Sequence, residues 1–109
     1  MNDRHDDILD AVYRIILDRK NNPTEQSYVA SLYAKGLDKI LGKIGEEATE
    51  VAVAGKGGDR DQVVYEAADL LFHLLILLGH YDLPPERVYA ELRRRFGTSG
   101  LVEKANREG

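Results

Sequence analysis

Cysteine is absent from this 109-residue chain, which excludes a disulfide framework and any thiolate metal site. Nothing in it resembles a signal peptide either. The N-terminus, Met1-Asn2-Asp3-Arg4-His5-Asp6-Asp7, is charged and no apolar h-region follows, so a cytoplasmic location is expected. Nor is there an excess of positive charge. With 15 basic against 19 acidic residues the net charge is −4, which argues against a nucleic-acid binder that displaces counterions from a phosphate backbone. A small phosphorylated ligand stays allowed, because a divalent cation and a few local lysines suffice for it. No stretch alternates polar and apolar residues as a half-buried strand does, and no repeat or low-complexity segment is present. The longest apolar run, residues 67–79, is interrupted by Asp69 and His73 and reads as too short to cross a bilayer, so no membrane partner is expected. The length fits one domain, 1–109.

Helical periodicity fills the chain and predicts an all-α bundle of about five helices. The few prolines punctuate it. A first helix over 6–20, with Ile8, Leu9, Val12, Ile15 and Ile16 on its inner stripe, ends at Asn21-Asn22-Pro23. A short helix over 28–35, capped by Ser27, stops at Gly36. The third runs over 37–54 with Leu41, Ile44, Ala48, Val51 and Ala52 inward, and a glycine-rich loop at 55–58 closes it. Asp59, with Gln62 as a capping box, starts a fourth that lasts to Gly79. Pro84 and Pro85 open a fifth over 86–96, leaving 97–109 as a flexible tail with little apolar material.

Two acidic sets lie inside these helices: Glu46-Glu47-x-x-Glu50 and, sixteen residues after its last member, Glu66-x-x-Asp69. At roughly 100° per residue the first three fall within about 100° of arc, and the second two lie about 60° apart, so each i,i+3 pair can grip one ion. The fourth helix is apolar nearly all round and therefore reads as buried, with Glu66, Asp69 and His73 as its ionisable stripe. Unpaired carboxylates there cost several kcal/mol each unless a cation or hydrogen-bond donors compensate. A lone Glu-x-x-Asp is most simply paired with a neighbouring Lys or Arg; two sets together favour a metal. An all-carboxylate set selects a hard cation, Mg²⁺ or Mn²⁺, rather than zinc. The Glu-x-x-His motif of di-iron bundles is missing, and His73 reads as a hydrogen-bonded core residue before it reads as a ligand.

Lys35, Lys39 and Lys43 recur every four residues, and Lys43 precedes Glu46 and Glu47 by one turn. Along a continuous helix they form a positive stripe leading to the acids. For Lys39 an ordinary solvated face explains as much, whereas Lys43 is a phosphate-contact candidate. Lys56, with glycines around it, is a candidate of the same kind against the default of a surface lysine. Gly42 and Gly45 mark either close packing by a substrate or another helix, or merely tolerated glycines.

These motifs, with Ser27-Tyr28-Val29-Ala30-Ser31-Leu32, Lys35-Gly36-Leu37-Asp38-Lys39-Ile40-Leu41, Tyr65-Glu66-Ala67-Ala68-Asp69-Leu70-Leu71-Phe72-His73-Leu74 and the tail Gly97-Thr98-Ser99-Gly100-Leu101-Val102-Glu103-Lys104, resemble the all-α nucleoside triphosphate pyrophosphatases (the MazG-like superfamily). Within it they are most similar to the phosphoribosyl-ATP pyrophosphatase family. The resemblance implies Mg²⁺-dependent hydrolysis of 1-(5-phosphoribosyl)-ATP to 1-(5-phosphoribosyl)-AMP and pyrophosphate, the second step of histidine biosynthesis, with Mn²⁺ a possible substitute. It implies Glu47, Glu50, Glu66 and Asp69 as metal ligands, and Glu46 as the group that binds a further ion or orients the attacking water. It also implies the stand-alone form of an enzyme that elsewhere is fused to the next enzyme of the pathway. A house-cleaning nucleotide pyrophosphatase and a non-enzymatic helical module are the alternatives; the tail motif opposes the first and the converging acids the second. A homodimer is expected, because four other helices can hardly cover every side of the fourth.

Overall fold

The computed structural model describes residues 4–97, with side chains described from Ile8 onward. Five helices follow one another: α1 (Arg4–Asn21), α2 (Tyr28–Lys35), α3 (Leu37–Gly57), α4 (Arg60–His80) and α5 (Pro85–Phe96). No strand occurs among the described residues, so the all-α expectation stands. The tail over 98–109 lies outside them.

Each boundary has a local cause. The Ser27 hydroxyl accepts from the Ala30 N–H at 3.0 Å and starts α2. Gly36, at φ 102°, turns the chain and donates its own N–H to Leu32. This turn separates Lys35 from Lys39 and Lys43, so the expected lysine stripe is not carried by one continuous helix. α3 continues three residues past its expected end, because a single left-handed residue suffices to stop it: Gly58, at φ 79°, returns its N–H to Ala54. Lys56 therefore sits in the last turn of a helix and not in a glycine loop. Asp59 caps α4 through the Gln62 N–H at 3.1 Å, as expected, but the Gln62 side chain turns away from the capping box to Glu66.

α3 and α4, joined by two residues, form an antiparallel hairpin and the most extensive contact in the molecule. α1 packs on α4, α2 bridges α1 and α3, and α5 touches α1. The core is Tyr13, Ile16, Val29, Leu32, Ile40, Leu75 and Ile76. Of these, Ile16, Leu32, Ile40 and Ile76 are fully buried, each contributing about 1.5–3 kcal/mol. The end of α4 is tied down by polar groups. The Tyr33 hydroxyl donates to the Ile76 carbonyl at 2.6 Å, and the Lys20 ammonium to the Gly79 carbonyl at 2.7 Å, the latter one of those that the last turn leaves without a partner inside the helix. Gly79 suits this packing, since a Cβ there would overlap the Tyr33 hydroxyl and displace that side chain from its bond to Ile76.

Several apolar positions face outward instead of inward. Ile8 and Ile15 on α1, and Leu41, Ala48 and Ala52 on α3, are exposed; the inner side of α3 is made by Ile40, Glu47 and Ala54. α4 is not buried all round: Val64 and Tyr65 are 68% and 67% exposed, and Leu71 is exposed too. By length and composition alone α4 would also suffice to cross a membrane, a test that helices of soluble proteins pass as well, and its acidic side is packed against α3. Gly42 and Gly45 adjoin open space, so close packing there does not come from the described residues.

Candidate active site

The α3/α4 hairpin sets the register of the acids. Glu50 and Glu66 each lie eight residues from Gly58, and Glu47 and Asp69 eleven, so an antiparallel pair brings them face to face in two successive turns. The structure shows this pairing, with Glu47 against Asp69 and Glu50 against Glu66. Four of the five predicted acids thus converge. Glu47, Glu50 and Glu66 place one oxygen each within 4.8 Å of one another, and Glu47 also forms such a group with Asp69 and His73. Glu47 belongs to both groups and is only 3% exposed.

Glu46 stands apart from both. Its carboxylate is exposed and pairs with Lys43 at 3.4 Å. Lys43 also approaches Glu47 at 3.8 Å and is the one lysine of the predicted three that adjoins the acids. Lys35 and Lys56 are exposed and make no ion pair with them among the described residues.

Negative charge exceeds its compensation inside the hairpin. Glu66 Oε2 accepts from the Gln62 amide at 2.6 Å, but Glu66 Oε1 and Glu47 Oε1 are buried without a hydrogen-bond partner. Burial, followed by the facing Asp69 carboxylate, pushes the Glu47 carboxyl up to about 7. The Glu50 carboxyl is raised chiefly by its hydrogen bond with Glu66. Two buried oxygens lacking a donor, in groups whose oxygens already converge, are what a hard cation needs, and the residues fit Mg²⁺ or Mn²⁺.

Two participants were not singled out as site residues from the sequence. Gln62 was assigned to a cap, although its place one turn before Glu66 was a signal that it could reach that carboxylate. Tyr28, from the start of α2, bonds His73 Nε2 at 2.7 Å, a contact across 45 residues with no local signature. His73 itself is hydrogen-bonded at both ring nitrogens, as its sequence reading expected.

An all-α chain with an acidic inter-helix site suited to a divalent cation is the class that this fold and these side chains define. Residues 9–96 match the family described as Phosphoribosyl-ATP pyrophosphohydrolase, and the chain belongs to that family. It is 69% identical over 107 residues to a protein of Geobacter sulfurreducens named phosphoribosyl-ATP pyrophosphatase, with 98% of each chain covered. Proteins of the same name in Geotalea daltonii and Methylococcus capsulatus are 65% and 54% identical, over 95% and 94% of this chain and 98% and 97% of theirs.

Proposed function

We propose that the α3/α4 acids hold Mg²⁺, with Mn²⁺ able to replace it, while the protein hydrolyses 1-(5-phosphoribosyl)-ATP between the α and β phosphates, yielding 1-(5-phosphoribosyl)-AMP and pyrophosphate in histidine biosynthesis. The protein is a hydrolase of phosphoric anhydrides. The observation that carries the metal reading is the pair of buried, donorless oxygens on Glu47 and Glu66. Glu47, Glu50, Glu66 and Asp69 are the proposed ligands. Bound there, the cation offsets charge on the transferred phosphoryl group and lowers the pKa of water. Lys43 leaves its loose pairing with Glu46 and Glu47 to meet substrate phosphate, and exposed Glu46, beside it, binds a further ion or orients the attacking water. Lys35 and Lys56 remain candidates for the outer phosphates only.

The assay is pyrophosphate release from phosphoribosyl-ATP, ATP and dUTP. Rapid Mg²⁺-dependent release from the first and much slower release from the others is expected; equal rates on all three would refute the substrate assignment while leaving the metal site standing.

The exposed apolar surface supports a homodimer, and the biosynthetic family supports work in the cytoplasm. Leu71, Leu74, Leu77, Pro85 and Val88 line an apolar groove, and Val53, Val64 and Leu41 add to the outward apolar area on α3 and α4. A monomer seldom leaves so much uncovered. Light scattering at micromolar concentration is expected to give twice the chain mass, and a monomeric mass with full activity would refute the dimer.

A further inference from the structure

His73 and Tyr28 form a chain of contacts that ends on one of the proposed ligands. The His73 ring is 2% exposed, with Tyr28 and Phe72 edge-on to it at centroid distances of 5.7 and 5.3 Å. Its Nδ1 faces two acceptors of the same residue, the Asp69 carbonyl at 2.8 Å and Asp69 Oδ1 at 3.3 Å. An imidazole nitrogen between two acceptors carries the ring proton, so Nε2 is left as the acceptor and the Tyr28 hydroxyl donates to it at 2.7 Å. Every donor and acceptor in the chain is thereby assigned.

We infer that Tyr28 and His73 are positioning residues that fix the Asp69 carboxylate for the divalent cation, an inference that rests on the metal reading of the site. Three features separate this from core filling. A buried apolar residue would pack α4 as well as an imidazole and bring no polar atoms to satisfy. Tyr28 is 46% exposed as a residue, and yet its hydroxyl is turned inward onto His73. The chain also reaches Asp69 from a different helix. Asp69 is partly exposed and faces Glu47 on one side, so a contact on its other side is what keeps its carboxylate in one orientation toward the cation. With its Nδ1–H donated to the Asp69 carbonyl, the ring also keeps Asp69 Oδ1 within 3.3 Å of Nδ1, a polar contact that favours one orientation of the carboxylate and leaves its other oxygen for Glu47 and the cation. The Tyr28 hydroxyl fixes the tautomer that makes this possible, in the way that an outer carboxylate or carbonyl fixes the imidazole of a metal site.

The test is Mn²⁺ binding by the protein without substrate, followed through the electron paramagnetic resonance signal of free Mn²⁺, with thermal unfolding in chelator run in parallel. Tyr28→Phe removes one oxygen and is expected to weaken Mn²⁺ binding by about ten-fold with little change in melting temperature. His73→Asn keeps an N–H near the position of Nδ1 but loses Nε2, so it should match Tyr28→Phe, and the double variant should be no weaker than either single one. His73→Leu, which also frees Asp69, should bind Mn²⁺ more weakly than any of them. Unchanged Mn²⁺ affinity in folded Tyr28→Phe, whatever its stability, overturns the inference, as does a double variant whose losses add. Absence of Mn²⁺ binding in the wild-type protein overturns the metal reading itself and is thereby distinguishable.

Discussion

Replacing Glu47 by Gln should cut turnover by about three orders of magnitude while leaving the fold intact. Glu47 is the one carboxylate present in both oxygen groups, so the substitution removes a charged ligand from each. The electrostatic help of a bound cation is worth several kcal/mol, and about 4 kcal/mol corresponds to a thousandfold at 1.36 kcal/mol per decade. Glu50→Gln and Asp69→Asn each affect one group and should also lose orders of magnitude, though less. Folding should not suffer. The Glu47 oxygen that lacks a partner is a cost to the native state, and a neutral amide beside Asp69 relieves both the desolvation and the like-charge contact. Steady-state kinetics at limiting and saturating Mg²⁺, with melting in chelator, measures both halves. Near-normal turnover at limiting Mg²⁺ would remove Glu47 from the ligand set.

The second large effect is an opposite response of stability to pH with and without a divalent cation. The Glu47 carboxyl, raised to about 7 in the fold, is protonated more readily folded than unfolded, where it titrates near its ordinary 4.5. Its contribution is therefore complete below about pH 4.5 and disappears as pH rises through about 7. Glu50, raised in the same direction by Glu66, acts with it. In chelator, the melting temperature of the wild type relative to Glu47→Gln should fall steadily between pH 5 and 7.5. With saturating Mg²⁺ or Mn²⁺ the trend reverses, because the ligands must shed their protons to bind and the cation then supplies the missing compensation. A wild-type melting temperature in chelator that rises over this window relative to Glu47→Gln would show that the facing carboxylates do not share protons.

What was legible in the sequence was the part governed by short-range rules. Ser27, Gly36, Asp59 and the prolines marked helix ends through backbone conformation and capping bonds, which act within four residues, and all five helices fall close to where these signals put them. The pairing of the acids was legible too. Two i,i+3 pairs at equal distances from Gly58 must meet once the chain turns back there, whatever the rest of the bundle does. Tertiary structure decided the rest. Which of the two adjacent glutamates points inward depends on the rotation of α3 about its axis, which packing of Ile40 and Ala54 fixes; hence Glu47 is buried and Glu46 exposed. The inner stripes of α1 and α3 were right for Leu9, Val12, Ile16 and Ile44, which join the core, but Ile8, Ile15 and Leu41 are apolar and face outward, and periodicity alone cannot tell the core from a surface awaiting another chain. Tyr28 reaches His73 only because α2 folds back against α1 and α3, a long-range consequence of packing that no local pattern around Tyr28 encodes.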